Sequence, residues 1–306
     1  MQSGILIIHP GALGDVLQAV PALRGLRATA PLVFVGQPRL GRLLVALDVV
    51  DEARGFDALG LDALFTREPV PAPLAALAAR GDRVVSWFGS REPLYRERLA
   101  SLARETIVAP PVPEEEIPVW RHLIATVAPW GVSVPEPPGP LRLAGPTPAR
   151  ATLVVHPGSG AAWKQWPAER FAEVIRAVTA RRPLPVVVHQ GPTDVAAADA
   201  LMAHLPTTWA RLVEPDLPTL AAVLATARVY LGGDSGVSHL AAAMGAPSVI
   251  LFPASTRRRW TPWSPTAVPL TMTGEPDEAT RVTREIQRQL DESRTGPRGC
   301  APTAWR

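Results

Sequence analysis

Short runs of β-branched and other apolar residues alternate along the whole chain with stretches whose apolar positions recur at helical spacing. In the first half the runs are ILIIH, LVFVG, VVSWF and TIVA, separated by segments such as GDVLQAVPALRGLRATA. Residues 132–151, VSVPEPPGPLRLAGPTPARA, are dense in Pro and Gly and have no period, so a linker is expected there with a boundary near residue 147. The second half restarts the alternation with TLVVH, LPVVVHQ, ARLVE, ARVYLGG and PSVILF. DEATRVTREIQRQLDESR then reads as an amphipathic helix and TGPRGCAPTAWR as a tail. Strands alternating with helices call for parallel sheets with crossover helices. The expectation is two α/β domains, residues 1–147 and 148–306, each opening with a strand, a glycine turn and a helix.

The openings share a phrase, since IIHPGALGDVLQ near the start is echoed by VVHPGSGAAWKQ in the middle. In open parallel sheets, ligands bind at the carboxyl ends of the strands. Two such domains facing each other would bring both phrases to one cleft, unless the fold is duplicated and only one turn is functional.

Composition narrows this. The 306 residues are 47% hydrophobic and 19% charged, as in a globular chain large enough for two cores. The single cysteine, Cys300, permits no internal disulfide and no cysteine metal site, and fits a reducing compartment. The first apolar run is too short for a signal peptide and no run is long enough to span a bilayer, so a cytoplasmic protein is expected. A net charge of +3 favours anionic partners. The arginines are scattered without an aromatic-basic platform, which argues against nucleic acid. The six histidines show no metal-ligand spacing, so no metal is expected.

Three stretches carry chemistry. In PGALGD, Gly11 and Gly14 permit a tight turn and close backbone approach, and Asp15 stands at the start of a helix, where it can cap that helix or act as a general base. G-x-G-x-x-G is absent, which disfavours a nicotinamide enzyme. In HPGSGAAWKQWP, Gly158, Ser159 and Gly160 offer backbone N–H groups and a hydroxyl to an anion, and Lys164 adds a compact positive charge; the alternative is a plain turn beside a solvated lysine. In YLGGDSGVSHLAAAMGAP, Asp234 is placed to cap a helix beginning at Ser235 and Gly236, with Ser238 and His239 in its first turn. That is more polar capacity than a cap requires and suits phosphate and sugar hydroxyls, although His239 alone also reads as a structural histidine. The run Arg257 to Arg259 in STRRRWTPWSP is read as a loop that is either solvated or grips phosphate or an anionic surface.

GALGDVLQAVPALRGLR, HPGSGAAWKQWPAERFAEVI and GGDSGVSHLAAAMGAPSVILF, in this order, resemble glycosyltransferase family 9, the ADP-heptose:lipopolysaccharide heptosyltransferases. The resemblance runs from about residue 4 to 265 and is strongest in the second half. It implies a GT-B fold of two Rossmann-like domains and metal-independent, inverting transfer from a nucleotide-activated heptose without a cofactor. It further implies Asp15 as base, Lys164 on the donor diphosphate, and Asp234, Ser235, Gly236 and His239 on the donor. The implied acceptor is an anionic glycolipid such as the lipopolysaccharide inner core, reached by peripheral attachment at the inner face of the cytoplasmic membrane. Two features depart from the family: His9-Pro10 replaces a basic or polar residue before the first turn, and LFPASTRRRW lacks the glycine expected after the last long strand. Other readings are a transferase for another nucleotide sugar, a nucleotide-sugar epimerase, and a non-catalytic sensor of nucleotide heptose. A helix N-terminus stabilises carboxylate, so Asp15 is expected to be a weak base.

Overall fold

The computed structural model describes residues 4–136, 138–145 and 150–295. The boundary expected near residue 147, and Cys300 with its tail, lie outside the described residues.

The first sheet is fully parallel. Its strands are β1 (Gly4–Ile8), β2 (Leu32–Gly36), β3 (Glu52–Gly55), β4 (Gly81–Ser86) and β5 (Glu105–Val108), in the spatial order β3-β2-β1-β4-β5. Between them run α1 (Leu13–Arg27), α2 (Pro38–Ala46), α3 (Ala72–Ala78) and α4 (Pro93–Ala100), and α5 (Val119–Val127) follows. The second sheet has β6 (Thr152–His156), β7 (Val186–Gln190), β8 (Ala210–Val213), β9 (Ala227–Gly233), β10 (Ser248–Phe252) and β11 (Ala267–Thr271), also parallel, in the order β11-β10-β9-β6-β7-β8. Its helices are α6 (Ala168–Arg181), α7 (Val195–Met202), α8 (Leu217–Ala225), α9 (Gly236–Ala243), α10 (Ala254–Trp260) and α11 (Glu278–Thr295). The polar α11 lays Ala279, Val282, Ile286 and Leu290, at three- and four-residue spacing, into the second core beside Phe171 and Ile175.

In each sheet the chain winds outward from a central strand and then crosses to its other side. The crossing points lie between β1 and β4 and between β6 and β9, and such switch points open a crevice at the carboxyl ends of the strands. The turn after β1 is therefore at one crevice, and the turns after β6 and β9 are side by side at the other, with His156 paired to Gly232.

One apolar cluster crosses from the first domain to the second, from Ile7, Val16, Val20 and Leu23 through Leu240 and Ala241 to Tyr230, Phe252 and Trp263. The reason is α1, which is buried nearly all round because one side packs on its own sheet and the other on α9. Pro21 interrupts that helix. A proline has no N–H to give to the carbonyl four residues back, so the Leu17 carbonyl loses its helical partner. The indole nitrogen of Trp263, in the second domain, donates to that carbonyl at 2.9 Å. Trp263→Phe should lower stability by about 1–3 kcal/mol through a buried carbonyl left without a donor. In a Pro21→Ala background, where the replacement residue supplies an N–H, the cost of the same change should shrink. Equal costs in both backgrounds, measured by urea unfolding, would remove the assigned role of Trp263.

Candidate active site

The first helix begins with Ala12 as its N-cap, so Asp15 is the third helical residue and not the cap expected from the sequence. Its Oδ2 reaches back and accepts the Ala12 N–H at 2.8 Å, the N3-to-cap half of a capping box. Among the described residues Oδ1 accepts nothing. Burial pushes the Asp15 carboxyl above its ordinary value, against the pull of the Ala12 N–H and the Lys164 charge. Burial thus acts against the weakening of the base expected from the helix start. Gly11 is wedged in this turn: a Cβ there would lie 2.7 Å from His9 Cε1 and 2.9 Å from Asp15 Cβ. His9 is buried against Trp87, with ring centroids 5.7 Å apart, and burial lowers its pKa to about 4. Its Nδ1 accepts the Gly11 N–H at 3.3 Å, so the neutral ring carries its proton on Nε2, which is buried and has no hydrogen-bond partner among the described residues.

In the second domain the cap of α9 is Ser235, whose Oγ accepts the Ser238 N–H at 3.2 Å. Asp234, expected as the cap, instead forms an ion pair with Lys164, Nζ to Oδ2 3.0 Å, while it is itself only 5% exposed. This contact joins the turns after β6 and β9. Ser238 Oγ donates to the Gly233 carbonyl and lies 2.8 Å from Tyr230 OH, so this serine fastens the turn to the sheet beneath it. Gly232 leaves room for that hydroxyl, since a Cβ would approach it to 2.4 Å. Ser159 spends its proton on the Ala161 carbonyl at 2.7 Å, shaping its own turn rather than offering a donor to an anion as expected. Gly160 is exposed, with no heavy atom within 4 Å of a Cβ.

The two domains meet through the starts of α1 and α9. A Cβ on Gly236 would stand 2.9 Å from Leu13 Cβ and 3.1 Å from the Gly14 nitrogen, and one on Gly14 would stand 3.2 Å from His239 Cδ2. Both glycines are therefore required for closeness, not for an unusual φ. His239 Nδ1 lies 3.3 Å from Gln18 Nε2, which also donates to the Trp260 carbonyl at 3.3 Å. Burial lowers the His239 pKa to about 4, opposed by Asp234 and assisted by Lys164, so the ring is neutral near pH 7 and serves as a spacer between the domains. The first turn of α9 leaves the Gly236 and Val237 N–H groups without an acceptor in the helix.

Asp15, Gly11 and Gly14 from one domain and Lys164, Asp234, Ser235, Gly236 and His239 from the other are thus brought to one interface. The twin phrases do not face each other: the first faces α9, and the second joins through Lys164. Sequence reasoning missed Gln18, a polar side chain inside the apolar stripe of α1 and fully buried, and that misplaced polarity was its only signal. It also missed that His156 and His189, on neighbouring strands, meet with Nδ1 atoms 3.0 Å apart, His156 Nε2 lying 3.9 Å from Asp194. Burial lowers both rings to about pKa 4. Among the described residues no group of three or more His, Cys, Asp or Glu is arranged to hold a metal ion. The arginine run expected in a loop lies on α10; Arg257 bonds Thr271 at 3.0 Å and Arg259 reaches the Glu114 carbonyl at 3.4 Å. Among the described residues no helix is long and apolar enough to cross a membrane.

The model of glycosyltransferase family 9 (heptosyltransferase) matches residues 94–289. Two lipopolysaccharide heptosyltransferase 3 sequences of Escherichia coli, one from strain K12, are 32% and 30% identical over 116 residues, or 37% of this chain. The match spans about a third of those relatives, 34% and 33% of their lengths. Among solved structures, E. coli ADP-heptose lipopolysaccharide heptosyltransferase II is 20% identical with a TM-score of 0.73, covering 95% of this chain and 99% of that one. A family 9 glycosyltransferase of Veillonella parvula gives 17% and 0.71, covering 96% of each chain. E. coli heptosyltransferase WaaC with ADP gives 18% and 0.69, covering 94% and 99%. At these identities the structures establish the shared GT-B architecture of two parallel-sheet domains. With more than half of its length matched by the family model, the chain belongs to glycosyltransferase family 9.

Proposed function

We propose that the protein is an inverting heptosyltransferase that moves a heptose from ADP-heptose to a lipopolysaccharide-type glycolipid, with Asp15 as the base. The observation that carries this reading is the convergence of Asp15, with a free Oδ1 and a raised pKa, on the Lys164–Asp234 pair and the start of α9 across the domain interface. The donor diphosphate is taken by Lys164 and the free N–H groups of Gly236 and Val237 at the helix start. The acceptor hydroxyl attacks the anomeric carbon from the side opposite the diphosphate. The carbon–oxygen bond to phosphate breaks, its electron pair leaves on the diphosphate, and the acceptor proton passes to Asp15 Oδ1. A single displacement inverts the anomeric centre. Lys164 and the helix start stabilise charge growing on the leaving group, so neither a general acid nor a metal is invoked. A basic excess on the chain suits an anionic acceptor and attachment to the inner membrane face, with the protein itself cytoplasmic.

Asp15→Asn retains an oxygen to accept the Ala12 N–H but loses the base, so kcat should fall by about 10²–10⁴ while donor affinity stays unchanged. Full turnover by the variant would remove Asp15 from the chemistry and favour a sensor or another base. Asp15 acts as carboxylate, and its folded pKa is raised above the ordinary value. kcat/KM should therefore decline as pH drops through that raised pKa, and a profile that rises toward acid would contradict the assignment. Calorimetry with ADP, UDP, GDP and CDP tests the donor: ADP should bind selectively, and at least about tenfold more weakly to Lys164→Ala. Selective binding of another nucleotide would redirect the donor assignment, and binding of none would contradict a transferase.

A further inference from the structure

We infer that Trp163, an exposed indole beside Lys164, is the platform on which the transferred sugar of the donor lies. This rests on the donor reading above and adds a specificity-determining residue to it. Two tryptophans stand three residues apart in this turn with opposite fates. Trp166 is 4% exposed, donates from Nε1 to Glu278 at 2.8 Å, and packs edge-on against Phe171 at 5.0 Å. Trp163 is 60% exposed, and among the described residues its indole nitrogen has no hydrogen-bond partner. Trp166 accounts for the folding of the turn, so core packing does not explain why a second large aromatic is held in water next to it.

Its position narrows the occupant. Lys164 Nζ lies over the Trp163 ring, 5.4 Å from the centroid, and the same Nζ is 3.0 Å from Asp234. The ring is thus anchored by a cation–π contact to the ammonium assigned to the diphosphate. The 3₁₀ turn Ala162–Lys164 that carries it is set by the Ser159 hydroxyl on Ala161, and exposed Gly160 leaves open space beside it. Lys164 also acts electrostatically on Asp15. An indole in contact with the ammonium assigned to the diphosphate lies within reach of the transferred sugar, which is bonded directly to that diphosphate, whereas the nucleobase is a ribose further away. A pyranose presents a face of C–H groups one ester oxygen from the phosphate. Such a face covers an indole well, removing apolar area from water on both partners while its hydroxyls stay free for polar groups.

The test is calorimetric binding of ADP and of ADP-heptose to wild type, Trp163→Ala and Trp163→Phe, with steady-state kinetics on each. Trp163→Ala should leave ADP affinity unchanged and weaken ADP-heptose by about tenfold, in the range of aromatic stacking contributions. Trp163→Phe should recover most of that loss, since a smaller ring still offers a face. Equal loss of both ligands would overturn the proposal, because the indole would then act on the nucleotide or only through Lys164. Loss of neither would also overturn it, even if acceptor KM rose. Wild-type binding of ADP separates the two levels: if it is absent the donor reading itself fails, and if it is present with the wrong variant pattern only the role of Trp163 falls.

Discussion

Everything in this molecule depends on two helix N-termini packed against each other across the domain interface. The starts of α1 and α9 approach so closely that a single methyl on Gly236 would collide with Leu13 and the Gly14 nitrogen. Each start carries about half a positive charge, so this contact is electrostatically costly unless negative charge is placed beside it. Asp15 supplies it on one side by accepting the Ala12 N–H, and Asp234 stands just before the cap of α9 on the other. Lys164 adds a further positive charge that Asp234 answers. Within the protein these charges balance, so in the proposed reading a diphosphate competes with Asp234 for Lys164 while the start of α9 holds it with fixed dipoles.

The topology makes this contact possible. Each sheet reverses its winding at one place, and the turns at those places are where the glycine-rich phrases stand. In the second sheet the reversal puts the turns after β6 and β9 side by side, which is why Lys164 and Asp234 pair although 70 residues separate them. The apolar cluster through α1 and α9, the Gln18–His239 contact and the Trp263 bond to the proline-orphaned Leu17 carbonyl then fix the domains against one another. Neutral His239 fits this role, since a charged imidazole at two positive helix ends beside a lysine would be repelled.

Much of this was legible in the sequence. TLVVH and ARVYLGG are β6 and β9 to the residue, because both are central strands with continuous apolar runs. Of the four edge strands, TIVA and ARLVE mark β5 and β8, but β3 and β11 carry no such signal: Glu52–Gly55 has only one apolar residue, and Ala267–Thr271 contains Pro269, which only an edge tolerates. EPLYRERLASLARE reads as one helix, yet α4 stops at Ala100 and its last residue opens β5. The motif residues were found but some of their jobs were misassigned. Asp15 and Asp234 both resemble caps, and the residue that caps is decided by where the chain turns into the helix, which spacing leaves uncertain by a residue or more. Gln18 and Trp263 find partners 221 and 246 residues away, in the other domain, and no local pattern encodes that distance.

The most direct measurement is a crystal structure of the protein with ADP and an unreactive ADP-sugar. The account predicts the diphosphate within hydrogen-bonding distance of Lys164 Nζ and the first N–H groups of α9, with the anomeric carbon facing Asp15. A diphosphate bound elsewhere, for example in the 690 Å³ cavity lined by Arg24, Arg27 and Arg142 at the far end of α1, would contradict it.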